Sequence, residues 1–350
     1  MPLTMYIDAE RWRRHQESVV SRYPGIVPVI KGNGYGVGIE RLAQEAQRIG
    51  GDTVAVGSAD EAARVADDFT GRILVLHPHH PAVPEPPLAE AVQQRVTRVV
   101  ASVEAARKVG GSRTGVGVEL LTSLRRHGVA EDDLERCLDA LDPQQLAGFG
   151  LHLPLGGGRA DRSAEVEVER WTRRLRTAGV LPATVWVSHV SAERLAGLRA
   201  RHPDVSFRPR IGTELWLGDP GALTVTATVC DGHRIRRGQR YGYRGRRAPW
   251  DGHLVVLSGG TAHGLGLSAP RYVRGVRARI ALGAEFGLAE FNWARGPYTI
   301  AGRRPMLAEP PHMQVSLVLL PAGVRPPAIG SEVSVQMRRT TARADRVVDR

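Results

Sequence analysis

The sequence predicts an α/β fold, a (β/α)8 TIM-type barrel followed by a mainly antiparallel β domain. Eight short β-like runs lie at Ile26–Ile30, Thr53–Val56, Ile73–Leu76, Val96–Val100, Val116–Leu121, Gly148–Leu153, Thr184–Ser188 and Val205–Arg208. Helix-like segments separate most of them, which is the alternation of such a barrel. From Leu223 the pattern changes to short alternating runs between Gly and Pro turns: Leu223–Val229, His253–Leu257, Arg277–Leu282, Met313–Leu320 and Glu332–Met337. That second pattern reads as antiparallel sheet. The expected division is 1–222 for the barrel and 223–350 for the β domain, with residues 1–8 able to pair with the latter.

In chain order, Met5–Asp8 reads as a strand, and Asp8 as the N-cap of a helix Ala9–Ser21 stopped by Pro24-Gly25. Ile26–Ile30 is continuously apolar, as a strand buried on both faces should be, and ends at Lys31. Helices are predicted at Ile39–Ile49, Ala59–Phe69, Ser102–Val109, Ala130–Leu141, Ser163–Ala178 and Ser191–Arg201. Pro78–Pro87 reads as a rigid loop. Lys31, His152 and Ser191 fall at or just beyond C-terminal strand ends, where barrel enzymes carry their sites.

The totals exclude some function classes. With 350 residues, 42% of them hydrophobic, the chain can build well-packed cores. The net charge of +12 is spread as arginine along the chain with only 5% aromatics, which reads as a solvated surface rather than a nucleic-acid footprint. Cys137 and Cys230 form neither a metal spacing nor a disulfide framework, so no metal is expected and a reducing compartment fits. No run approaches the roughly 18 to 20 apolar residues of a membrane span, so a cytoplasmic protein that binds neither membrane nor nucleic acid is expected.

Lysine usage points to the chemistry. The chain has 46 arginines and two lysines, Lys31 and Lys108. Lys108 suits the last turn of a helix, where a cation is favoured. Lys31 ends a buried strand and opens the glycine-rich Lys31-Gly-Asn-Gly-Tyr35-Gly-Val-Gly38. An arginine cannot replace it as a nucleophile, because a desolvated lysine can lose its proton and attack an aldehyde whereas arginine stays charged. The glycines permit close backbone approach to a phosphate-bearing cofactor, to which Tyr35 could donate its hydroxyl.

Val29-Ile-Lys31-Gly-Asn-Gly-Tyr35-Gly-Val-Gly resembles the lysine segment of the alanine racemase family, which generally reads Val-Val-Lys-Ala-x-Ala-Tyr-Gly-His-Gly. Further family landmarks follow in order over most of the chain. The resemblance implies pyridoxal 5'-phosphate held as a Schiff base on Lys31, with Tyr35 on its phosphate. It places His152 of Gly150-Leu-His-Leu beside the pyridine ring and Ser191 of Ser188-His-Val-Ser at the phosphate. In Arg208-Pro-Arg-Ile-Gly-Thr-Glu, Arg210 would approach the pyridine nitrogen, and Gly212 and Thr213 would give backbone contacts to the phosphate. Taken one at a time, His152 reads as a core histidine, Ser191 as an N-cap and Arg210 as a surface cation; with Lys31 beside them they read as a site. Glu119-Leu-Leu-Thr-Ser-Leu-Arg-Arg126-His-Gly128 resembles the segment whose arginine binds the substrate carboxylate, the role this gives Arg126. Glu119 stands where the family has a lysine that is often carbamylated, and would supply the negative charge that orients the arginine. Met313 in Pro311-His-Met-Gln would offer its backbone to the same carboxylate.

The sequence departs from the family at the second face of the substrate. Thr261, in Gly259-Gly-Thr-Ala-His263-Gly, stands where the family has its second catalytic base, a tyrosine, and an aliphatic alcohol is too weak an acid to serve as one. His263 is the nearest side chain in sequence able to take over. Gln314 replaces an aspartate, and the C-terminal tyrosine of the phosphate site has no counterpart. The expected function is that of a pyridoxal-phosphate-dependent amino-acid racemase-like isomerase, acting on alanine or another small amino acid as a homodimer, for D-amino-acid and cell-wall supply. Two alternatives stay open: a one-base enzyme of different reaction, and a non-catalytic ligand-binding member of the fold.

Overall fold

The computed structural model describes residues 2–110, 114–155, 159–266 and 295–350. The chain divides into two units, Arg13–Gly218 and Met1–Trp12 with Asp219–Arg350. Strand β1 (Leu3–Ile7) and helix α1 (Ala9–Arg22) open it. Asp8 Oδ1 accepts the Arg11 N–H at 3.0 Å, as an N-cap should.

The first unit is the predicted barrel. Its strands are β2 (Val27–Pro28), β3 (Thr53–Val56), β4 (Arg72–Val75), β5 (Val96–Val100), β6 (Gly115–Glu119), β7 (Leu146–Leu151), β8 (Ala183–Val187) and β9 (Val205–Ile211). They pair in parallel in the order β2-β9-β8-β7-β6-β5-β4-β3. A parallel bridge between Val29 and Ala55 closes the ring, reinforced by the Ile30 N–H to Ala55 O bond at 2.8 Å. Val27, Val29, Ala55, Leu74, Val99 and Trp186 pack as one cluster drawn from five strands, so their side chains fill the interior. The indole of Trp186 is accommodated by a missing side chain opposite, because a Cβ on Gly117 would lie 2.9 Å from its Cζ3.

Helices α2 (Ile39–Arg48), α3 (Ala59–Val65), α4 (Val103–Val109), α5 (Leu134–Leu138), α6 (Arg159–Thr177), α7 (Ala192–Arg201) and α8 (Thr213–Leu217) also belong to this unit. Three start alike: Ser58, Ser102 and Ser191 accept the N–H three residues on, those of Glu61, Ala105 and Arg194. The helix expected over Ala130–Leu141 is shorter. Glu131–Asp133 form a 3-10 turn before α5, consistent with two adjacent aspartates, which are weak helix formers.

The second unit is built on the long strand β10 (Leu223–Ile235), with β11 (Gly252–Ser258), β12 (Val315–Pro321), β13 (Glu332–Val335) and β14 (Arg346–Asp349). A register irregularity between Val229 and Asp231 splits the work of β10. Its first half pairs antiparallel with β1 and β13, and its remainder with β11, which in turn pairs with β12. β14 runs parallel to β1. Ile235, Tyr241, Leu254, Ala308 and Leu319 form part of the core here. The strand expected at Arg277–Leu282 lies outside the described residues.

Candidate active site

Lys31 stands at the barrel mouth, two residues beyond the Val29–Ala55 bridge that follows the end of β2. Glu61 fixes the turn that follows: its carboxylate accepts the Gly32 N–H at 2.8 Å and the Gly57 N–H at 2.6 Å, joining the ends of β2 and β3. The Lys31 side chain keeps an open side to solvent. Crowding by protein, and then the charges of Arg126 and Arg210, lower its pKa, with Glu61 opposing. The amine is thereby easier to deprotonate, which is what a nucleophile requires.

Tyr35 is buried and held at φ 54, a conformation that costs a non-glycine residue energy. The constraint delivers its hydroxyl to the Thr213 side chain, and burial pushes its pKa up to about 12. Gly212 makes the approach possible, since a Cβ there would overlap the Tyr35 hydroxyl. Tyr35, Gly212 and Thr213 are therefore one cradle assembled from distant parts of the barrel sequence. Ser191 opens α7 as its N-cap, accepting the Arg194 N–H at 3.4 Å, so its hydroxyl already has a structural task.

His152 lies beyond β7 with Nδ1 3.0 Å from Ser188 Oγ. Ser188 Oγ accepts the Leu153 N–H at 3.1 Å, and donating its own proton to Nδ1 would leave His152 protonated at Nε2. Burial, followed by Arg210, Arg126, His189 and Lys31, lowers the His152 pKa to about 3. The ring is neutral at physiological pH. His189, held at φ 59, meets it edge-on at 5.4 Å between centroids and has its own pKa lowered by burial and the same cations.

Arg210 and Glu119 form a buried pair, Nη1 to Oε2 at 3.3 Å. Gly150 leaves the space for it, since a Cβ there would overlap the Glu119 carboxylate. This corrects the expectation that Glu119 orients Arg126: the carboxylate faces the arginine of β9 instead, across the barrel ring. Arg126 is exposed, and its charge reaches Lys31, His152 and His189. Arg126, Glu119, Thr122 and His152 line one pocket.

In the second unit, Thr261 is exposed and its N–H bonds to His312 O at 2.8 Å, while Ala262 N–H bonds to Met313 O at 2.9 Å. Gly260 permits this approach, since a Cβ on it would collide with the His312 and Met313 backbone. Met313 is 71% exposed. His263 is engaged on both sides: Nδ1 accepts the Gly260 N–H at 3.1 Å, and Nε2 lies 3.0 Å from Asp345 Oδ1. With Nδ1 occupied by a donor, Nε2 carries the proton toward Asp345, and no lone pair remains for a substrate proton.

Residues of this site that sequence reasoning did not single out are Ser188, His189 and Gly150. Their available signal was position, since all three sit on or just beyond β7 and β8. The donor set suits pyridoxal phosphate on four observations. Lys31 is poised to lose its proton. Arg210 Nε is buried and has no hydrogen-bond partner, so it can donate to a ring nitrogen. The Tyr35 hydroxyl lies over a glycine with no side chain in the way. Lys31, Arg126 and Arg210 outnumber the carboxylates Glu119 and Glu61 around them, a balance that an anion corrects.

The family "Alanine racemase, N-terminal domain" matches residues 7–220. An alanine racemase of Mycobacterium bovis is 31% identical over 278 residues, which are 72% of this chain and 71% of that protein. One from Mycolicibacterium vanbaalenii is 28% identical over 280 residues, 72% and 70% of the two chains. Among solved structures, an alanine racemase from Bartonella henselae with covalently bound pyridoxal phosphate superposes with a TM-score of 0.69 at 16% identity, covering 97% of this chain and 91% of its own. A histidine racemase from Leuconostoc mesenteroides gives 0.67 at 16% identity, covering 99% and 97%. These structural likenesses establish the fold.

Proposed function

The chain belongs to the alanine racemase family, and from that premise we propose that it is a pyridoxal-phosphate-dependent amino-acid racemase. The observation that carries the proposal is the convergence, at one barrel mouth, of Lys31 with its lowered pKa and Arg210 with its unpartnered buried Nε. Bound there, pyridoxal phosphate supplies an aldehyde that condenses with amines and a ring that accepts electron density from the substrate Cα.

The protein residues then have separable tasks. Lys31 Nζ would hold the cofactor and would move the Cα proton on its own face. Arg126 binds the substrate carboxylate through its fork of donors, with the Met313 backbone as a second contact. Arg210, fixed by Glu119, would donate to the ring nitrogen and keep it unprotonated, which would limit how much charge the ring accepts. His152, neutral and protonated at Nε2, packs beside the ring. Tyr35, Ser191, Gly212 and Thr213 hold the phosphate. A homodimer would let Thr261 and Met313 of one protomer face the barrel mouth of its partner, and a cytoplasmic supply of D-amino acids for the cell wall is the role this suggests.

The engagement of both His263 nitrogens favours a second reading. With Thr261 in the tyrosine's place, proton transfer on the far face falls to water held by the Thr261 hydroxyl, or does not occur and Lys31 works alone. Incubating the cofactor-loaded protein with single L-amino acids in deuterated water separates the two. Deuterium at Cα together with the D-enantiomer supports racemisation. Deuterium with retained configuration supports the one-base reading, and neither product removes both.

A further inference from the structure

A second cavity, of about 370 Å³, adjoins the pocket that holds Arg126 and His152. The two share Pro78 and His127 as walls. The cavity occupies the sector above the ends of β3 and β4, between the strand that carries Lys31 and the loop that carries Arg126. Its polar lining includes His77, His80, His127 and Asp60, against an apolar lining of valine and proline. Its volume suits a small-molecule group, and an alanine-sized ligand at the neighbouring candidate site would need no second chamber for its methyl side chain.

The lining is built, not incidental. The loop after β4 is pinned to β5 by the His79 N–H to Val99 O bond at 2.7 Å and by Glu85, which bonds His79 Nδ1 at 2.8 Å and lies 3.4 Å from Arg98. His80 Nδ1 accepts the Ala82 N–H at 3.2 Å, so its proton sits on Nε2. Burial, Arg126 and His77 lower the pKa of His127, which keeps that ring an uncharged hydrogen-bonding group. No group of three metal-ligating side chains occurs among the described residues, so the imidazoles are read as walls. Asp60 at the start of α3 adds a carboxylate, while the Glu85 carboxylate is shared by His79 and Arg98.

We infer that this cavity receives the side chain of the amino-acid substrate, and that it selects a long, nitrogen-bearing side chain, an imidazole or amine, over a methyl group. The apolar walls cover its carbons, the imidazoles exchange hydrogen bonds with its nitrogen, and Asp60 favours a cation and repels a side-chain carboxylate. The inference rests on the proposed function, in which the cofactor site at Lys31 would take the α-amino group and Arg126 the α-carboxylate.

The test uses amino acids that cannot react at Cα, because a methyl group replaces the hydrogen. Binding to the cofactor-loaded protein is measured by calorimetry for 2-aminoisobutyrate, α-methylhistidine, α-methylornithine and α-methylglutamate. The histidine and ornithine analogues are expected to bind at least tenfold tighter than 2-aminoisobutyrate, and the glutamate analogue no tighter. Val83→Trp, which fills the cavity from an exposed loop position, should erase that preference and leave 2-aminoisobutyrate within twofold. Equal binding of all four, or a preference that survives Val83→Trp, overturns the inference while leaving the proposed function standing. Failure of every analogue, 2-aminoisobutyrate included, overturns the proposed function and the inference with it.

Discussion

Glu119 and Arg210 reach each other from β6 and β9, 3.3 Å apart and almost wholly buried, through a gap that exists because residue 150 is glycine. Removing one partner leaves the other as an unpaired buried charge, a loss of about 3 to 5 kcal/mol. Glu119→Ala should therefore lower the urea midpoint strongly, and Gly150→Ala should also destabilise by forcing the carboxylate aside. Equal midpoints for parent and Glu119→Ala would mean that the pair contributes nothing.

Lys31 is expected to be the attachment point of the cofactor. Borohydride reduction followed by peptide mass analysis should find pyridoxal phosphate on the Lys31 peptide. Lys31→Ala should lose the label and any α-proton exchange. Label on Lys108 would contradict the site.

The contact between Gly212 and Tyr35 can be tested by a paired substitution. Gly212→Ala drives a methyl group into the phenol oxygen and should weaken cofactor retention. Tyr35→Phe removes that oxygen, so Gly212→Ala/Tyr35→Phe should bind the cofactor better than Gly212→Ala alone. An additive loss in the double variant would show that the two positions act separately.

Acid should destabilise the cofactor-free protein through His152. Its folded pKa is about 3, against an ordinary 6.5, so below pH 6.5 the unfolded chain gains a proton that the folded chain does not. Stability then falls as pH drops from 6.5 toward 3. His189 and His127, also lowered, act in the same direction. His152→Gln should shallow the slope of unfolding free energy against pH in this window. An unchanged slope would contradict the buried neutral ring.

At the far face, Thr261→Tyr restores the group that the family uses, and should raise inversion relative to α-proton exchange, by up to about 10² to 10⁴ if the phenol is well placed. His263→Gln should leave that ratio unchanged and lower the unfolding midpoint, because its ring joins Gly260 to Asp345. A selective loss of inversion in His263→Gln would return His263 to the mechanism.

Elements buried on both faces were legible in the sequence. Thr53–Val56 and Val96–Val100 are observed at the predicted bounds, and Ser58, Ser102 and Ser191 mark helix starts by a local hydrogen bond that needs no distant partner. Lys31 was legible because its residue type is so scarce. The partner of Glu119 was not, since Arg210 lies 91 positions away and meets it only once the ring has closed. The engagement of His263 was hidden for the same reason, because Asp345 is 82 positions away. Sequence gives the identity of such groups; the barrel and sheet decide who faces whom.

The strand before Lys31 is the most thinly attached of the barrel. β2 has two register pairs with β9 and one bridge to β3, and the Trp216 Nε1–H bond to Val29 O at 2.9 Å is an added latch. Breathing of the ring should therefore start here, and the amides of Val29 and Ile30 should take up deuterium before those of β5 to β8. Ligand attachment at Lys31 would then act as a clasp on the seam, slowing deuterium uptake at those two amides more than elsewhere, so that the reactive amine and the mechanical weak point of the barrel are the same place.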